Sequence, residues 1–287
     1  MLKTNFKGAS SIQSFALVLT LLLFTYVQHE SVKAQTVVKG QAIMGFISDT
    51  VTPLIDPKAI LAEANAPKIS LSVKSQRTVD NYLAVNGEAL NSIAKRSPSY
   101  FKTIDAVFSK HGVPLQLKYL AVVESNLKTV AVSRCGAVGI WQLMPETARS
   151  YGLKVGRHSD ERKHVYKSTL AAAKYISGLY KEFGDWLLVI AAYNGGSGTV
   201  HAAIRKSGSK NFYALQRYLP AETKAHVQHY IATHYYFEGQ GSITTLTKKE
   251  ATTHLQRVSD YLSLRICEIE KLRPDASAPS AIAIAEK

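Results

Sequence analysis

ESNLKTVAVSRCGAVGIWQLMPETARSYGL, residues 124–153, is the stretch whose reading decides the fold. A lone carboxylate, Glu124, closes an apolar run over residues 115–123. A loop of small residues follows, Cys135-Gly136-Ala137-Val138-Gly139. Then comes an aromatic and amide cluster, Trp141-Gln142-Leu143-Met144-Pro145, with a helix expected to start near Pro145 and end near Tyr151-Gly152. The pattern describes an acid beside a tight turn at the mouth of a groove. Glycines belong where the backbone takes positive φ or where a ligand lies against it.

Outward from this stretch the chain reads as helix after helix. Residues 73–94 carry Val79, Tyr82, Leu83, Leu90 and Ile93 at helical spacing, and Asn86-Gly87 is expected to divide them into two helices. Ser99 is read as the cap of a short helix with Phe101, Ile104 and Phe108, stopped by His111-Gly112. Pro114 suits the first turn of the next helix, in which Leu117, Leu120 and Ala121 share a face with Glu124. Downstream, Ser168 is read as the cap of a helix that Gly184 stops, and Asp185 as the cap of the next. Asn194-Gly195-Gly196-Ser197-Gly198 reads as a flexible turn, and a last long helix begins at Pro220 and Glu222. Beyond Gly239 the periodicity fades. Strand signals are weak and no internal repeat is present, so the expected class is all-α.

Residues 1–34 have the order of an export signal: basic Lys3 and Lys7, an apolar core over residues 15–27, and Val32-Lys33-Ala34 as the cleavage site. The apolar core is shorter than the roughly 20 residues of a membrane span. Residues 35–70, with Pro53, Pro57 and Pro67, read as a partly disordered arm, residues 71–240 as the main domain, and residues 241–287 as a tail. The chain of 287 residues carries a formal charge of +14 and stays strongly basic once the leader is removed. A protein exported with that charge is drawn to an anionic polymer. The basic residues are scattered rather than clustered, which argues against nucleic acid as partner. Cys135 and Cys267 are the only cysteines, and export would allow them to pair. Their spacing is no metal motif, and no cofactor is expected.

Glu124-Ser125, Ser133, the run from Gly136 through Trp141-Gln142-Leu143-Met144-Pro145, and Ala192-Tyr193-Asn194 stand in the order and spacing of three signature blocks. They resemble those of the soluble lytic transglycosylase (SLT) domain family, in its murein transglycosylase D branch. The resemblance covers residues 73–239. It implies an α-helical, lysozyme-like domain acting on peptidoglycan strands. With the export signal, the expected place is the periplasm or cell envelope, peripheral to it, and the expected state is a monomer. It implies that Glu124 serves first as general acid on the glycosidic oxygen and then as base on the C6 hydroxyl, closing a 1,6-anhydro ring. One carboxyl plays both parts only when it rests in its protonated form, and burial favours the neutral acid. The resemblance assigns substrate or acid contacts to Ser133, Gln142, Met144, Tyr193 and Asn194. Read as isolated residues, the same side chains are a turn serine, core packing, a core aromatic and a turn cap.

The family pattern is departed from in four places: Leu127 and Thr129 after the acid, His164-Val165 after Asp160-Glu161-Arg162, Ser197, and Cys135 in the loop. Residues 258–274 only faintly resemble part of a wall-binding repeat. Two other functions compete. A hydrolytic muramidase needs a second carboxylate, for which Asp160 and Glu161 are the candidates, although they read more naturally as a structural loop with Arg162. An inactive wall-binding module needs none. His226, His229 and His234 lie on one helix and are read as a solvated face rather than as metal ligands.

Overall fold

The computed structural model describes residues 56–71 and 73–271. The export signal and most of the arm lie outside the described residues, as does the end of the tail. Among the described residues ten α-helices follow one another: α1 (Pro57–Leu61), α2 (Val73–His111), α3 (Tyr119–Ser125), α4 (Pro145–Ser150), α5 (Val165–Phe183), α6 (Trp186–Gly195), α7 (Ser197–Ser207), α8 (Phe212–Leu215), α9 (Ala221–Glu238) and α10 (Lys248–Lys271). Short 3₁₀ turns precede α3 and α5, follow α8 and precede α10. Among the described residues there is no β-strand, only three isolated bridge pairs, two of them holding Val138 against Val132 and Leu143.

The centre of the domain is α6. Every residue over 186–192 (WLLVIAA) is buried, so this helix is apolar all round and is enclosed by α5, α7 and α9. Asp185 caps it, its Oδ1 accepting from the backbone N–H groups of Leu187 (2.9 Å) and Leu188 (3.2 Å). The second oxygen of Asp185 accepts from the N–H of Lys248 at 2.6 Å, so one buried carboxylate ties the starts of α6 and α10 together.

Four elements differ from the expectations raised by the sequence. Asn194-Gly195 close α6 and Ser197-Gly198 open α7, so only Gly196 (φ 81°) turns the chain where a flexible turn was expected. Residues 73–111 form one helix of 39 residues, running through Asn86-Gly87 and Pro98. The Asn86 amide donates to the Tyr82 carbonyl one turn back (2.9 Å). Pro98 cannot donate to the Ala94 carbonyl, and the Ser97 hydroxyl donates to it instead at 3.1 Å. Burial of Val79, Leu90, Ile93, Ile104, Val107 and Phe108 continues on both sides of these weak points, so packing outweighs local propensity. In α5, His164 and not Ser168 is the cap; the Ser168 hydroxyl lies inside the helix and donates to the His164 carbonyl (2.9 Å). Where the periodicity faded, α10 forms over 24 residues. Val258 and Leu262 of α10 pack on Ile60 of α1, and Arg265 pairs with Glu63 at 2.9 Å.

Removing the shared cap should be costly. Asp185→Ala is expected to lower the unfolding free energy by about 2 kcal/mol, at the upper end for helix caps, because three N–H groups lose their acceptor. Asp185→Asn should lose less, since its amide oxygen still caps α6. Urea denaturation of the two variants measures the difference.

Candidate active site

Glu124 lies in the last turn of α3, and the chain after it turns sharply. Asn126 (φ 53°) and Leu127 (φ 61°) both take the left-handed conformation. Such backbone costs on the order of 1–3 kcal/mol per non-glycine residue and persists only where the surroundings enforce it. Here Leu127 is buried in the core, the Arg96 guanidinium donates to the Asn126 carbonyl, and the Ser125 hydroxyl donates to the Ala121 and Ile140 carbonyls at 3.2 and 3.0 Å. The last of these bonds joins the turn after the acid to the loop over residues 136–143.

That loop is clamped from outside by Arg162. Its Nη1 donates to the carbonyls of Gly136 (2.8 Å) and Leu143 (3.0 Å), the two ends of the loop. Its Nε and Nη2 form a fork on the Asp160 carboxylate at 2.9 and 2.8 Å. The guanidinium holds Asp160 below the ordinary carboxylate range. Gly139 (φ 85°) lies under the Arg162 carbonyl, where a Cβ would come within 2.1 Å of the oxygen, so only glycine fits. Glu161 accepts from the Lys154 N–H (2.8 Å) and pairs with Lys167 (2.6 Å), contacts that likewise lower its carboxyl. Both acids considered as a second carboxylate are therefore committed to the framework.

The residues singled out from the sequence divide into two groups. Gln142 (φ 45°) turns its amide back on the loop, donating to the carbonyls of Gly139 (2.9 Å) and Ala131 (3.3 Å). The Ser133 hydroxyl accepts from the Ala137 N–H at 3.0 Å, closing a local turn. Tyr193, at the end of α6, donates its hydroxyl to the Trp141 carbonyl at 2.7 Å. Burial, with the nearby Glu124 charge as a lesser cause, pushes this phenol well above its ordinary value. Asn194 accepts from the Thr223 hydroxyl at 2.9 Å, joining α6 to the start of α9. Met144 stands apart: it is 38% exposed, which removes the core-packing alternative. Cys135 and Cys267 are both exposed and unpaired.

His226, a member of the expected solvated face, meets the acid directly. Its Nε2 lies 2.9 Å from Glu124 Oε1, with the side chains 8% and 13% exposed. The expected solvated face is corrected for two of the three histidines. His226 is buried against Glu124, and His234 is buried with its Nε2 on the Ser242 hydroxyl at 2.9 Å; burial lowers the His234 ring to about 4. His229 is exposed, with its ring 4.8 Å from that of Tyr82. The signal was present in the sequence: His226, Tyr230 and His234 recur every four residues, on the stripe that buries Val227.

The profile of the "Transglycosylase SLT domain" family matches residues 104–216. That segment of the chain is similar to the SLT domain. Membrane-bound lytic murein transglycosylase D of Escherichia coli strain K12 is 40% identical over 152 residues, which is 51% of this chain and 33% of that protein. Peptidoglycan transglycosylase gp16 of Escherichia phage T7 is 33% identical over 117 residues, covering 38% of this chain and 9% of its own length. The chain thus spans about a third of the length of the first of these relatives. The crystal structure of the 70 kDa soluble lytic transglycosylase of Escherichia coli aligns with a TM-score of 0.49 at 21% identity, over 61% of this chain and 31% of that one. Glu124, Ser133, Gln142, Met144, Tyr193 and Asn194 all fall within the matched SLT segment, whereas His226 lies beyond its end.

The clamp makes a direct prediction. Arg162→Ala should destabilise the domain by about 3 kcal/mol, because Asp160 and two loop carbonyls lose a largely buried partner. Arg162→Lys should recover little of this, since an ammonium cannot reproduce the planar fork. Chemical denaturation of both variants checks the claim, and full stability in the lysine variant would refute the fork as the cause.

Proposed function

We propose that this protein is an exported lytic transglycosylase that cleaves the MurNAc-β-1,4-GlcNAc bond of peptidoglycan without hydrolysis. The reading rests on one observation above all: Glu124 stands in a tightly braced turn of the SLT domain, while Asp160 and Glu161 are bound to Arg162 and Lys167. A hydrolase of the ordinary kind brings two free carboxylates to the scissile bond. With one, the internal C6 hydroxyl is the natural nucleophile. Glu124 gives its proton to the glycosidic oxygen, the C1–O bond breaks, and the GlcNAc end leaves as an alcohol. The Glu124 carboxylate then takes the proton of the C6 hydroxyl as O6 bonds to C1. The acid is restored, no water is consumed, and the product ends in 1,6-anhydroMurNAc.

The remaining residues have supporting parts in this scheme. Gln142 and Ser133 shape the loop beside the acid, and exposed Met144 is placed to meet the glycan. Tyr193 and Asn194 fix the end of α6 against that loop and against α9. The basic surface suits a polymer whose peptide stems carry carboxylates. Among the described residues no helix is long and apolar enough to cross a membrane.

Glu124→Gln should abolish cleavage while leaving the melting temperature and glycan binding intact. Loss of general acid–base catalysis is worth roughly 10²–10⁴-fold for one step, and both steps lose it here. Mass spectrometry of fragments released from sacculi in ¹⁸O-labelled water tests the chemistry. Unlabelled anhydro ends are the expected product of the wild type. Labelled reducing MurNAc ends would establish a muramidase, and no release at all would leave a binding module.

A further inference from the structure

The contact between His226 and Glu124 has no part in the single-acid cycle above. We propose that His226 is a positioning residue for Glu124: its Nε2–H donates to Oε1 and leaves Oε2 as the oxygen that exchanges the proton with the substrate. The proposal rests on the transglycosylase reading and names the device that lets one carboxyl work twice.

The geometry supports it in three ways. The Nε2–Oε1 separation of 2.9 Å is a hydrogen bond between two largely buried side chains. The other ring nitrogen, Nδ1, is buried with no partner among the described residues. A buried N–H left without an acceptor is costlier than a bare lone pair. The proton therefore belongs on Nε2, facing the acid. The position of the ring is also secured. Thr223, one turn before His226 on α9, donates to Asn194 on α6, and Val227 and Tyr230 are buried on the same stripe. Tyr193 does not compete for Glu124, because its hydroxyl is given to Trp141.

The consequence concerns the middle of the reaction. In the resting acid, the carboxyl proton sits on Oε2, since Oε1 already faces a donor. Once that proton has passed to the leaving oxygen, Glu124 is a carboxylate beside a developing oxocarbenium ion. The Nε2–H bond then becomes charge-assisted and strengthens. It holds the carboxylate in place until Oε2 takes the C6 proton. In this role the imidazole positions the carboxyl and transfers no proton.

The test has two arms, both on the full chain. In the first, ¹⁵N NMR of imidazole-labelled protein reads the tautomer without reference to activity. A proton on Nε2, with a signal that moves in Glu124→Gln, is expected; a proton on Nδ1 would overturn the proposal. The second arm measures turnover of soluble peptidoglycan strands by His226→Phe and His226→Gln. The phenyl ring fills the site without donating, and should lower kcat roughly 10–100-fold, the worth of a hydrogen bond to a charged group. KM should change by less than about twofold, because only the transition state loses stabilisation. The glutamine amide can donate, and should recover kcat to within about fivefold of wild type. Wild-type turnover by the phenylalanine variant, or equal losses in both variants, would show that His226 only packs; should the phenylalanine variant fail to fold, the tautomer and the glutamine variant decide. Absence of anhydro products from the wild type would refute the transglycosylase reading separately, while the NMR arm would still report on the contact.

Discussion

A guanidinium with four directed bonds sets the shape of everything around the acid. Arg162 spends one edge of its fork on Asp160 and the other on the carbonyls of Gly136 and Leu143. Two carbonyls at opposite ends of an eight-residue loop are thus bound to one rigid plane, a task that suits arginine's fixed geometry and not lysine's point charge. The remaining contacts depend on it. With the loop pinned, Ile140 presents its carbonyl to Ser125 next to the acid, and Trp141 presents its own to Tyr193. Gly139 can then sit directly beneath the Arg162 backbone. Residues at positive φ are tolerated at Asn126, Leu127 and Gln142 because this scaffold overdetermines them.

Behind the loop stands a conventional helical core. α6 is enclosed on all sides, so its C-terminal residues Tyr193 and Asn194 are held on a rigid element. One faces the loop and the other reaches α9 through Thr223. α9 in turn brings His226 to Glu124. The acid is therefore held between the clamped loop on the sequence-near side and α9 on the far side. Sites supported in this way keep the precision that proton transfer demands.

The ends of the described chain are joined to each other as well as to the domain. α1 and α10 share a small apolar cluster of Ile60, Val258 and Leu262, with the Glu63–Arg265 pair at its edge. Asp185 anchors the start of α10 to the core. An arm and a tail that look weakly patterned in isolation become ordered where they meet, because neither has a complete apolar face alone.

The helical class, the capping of α6 by Asp185 and the gathering of Glu124, Ser133, Gln142 and Met144 on one short segment were all determined by the sequence itself. These are local properties: periodicity, caps and turn residues act within a few positions of one another. The continuity of α2 through Asn86-Gly87 and Pro98 was decided by tertiary structure, since the gain from burying one long apolar face exceeds the local penalties. So was the role of the Tyr193 hydroxyl, whose acceptor is a backbone carbonyl with no sequence signature. The pairing of His226 with Glu124 spans 102 positions. Periodicity shows that a histidine faces inward, but which group it meets there depends on how α3 and α9 pack, and only the folded chain sets that.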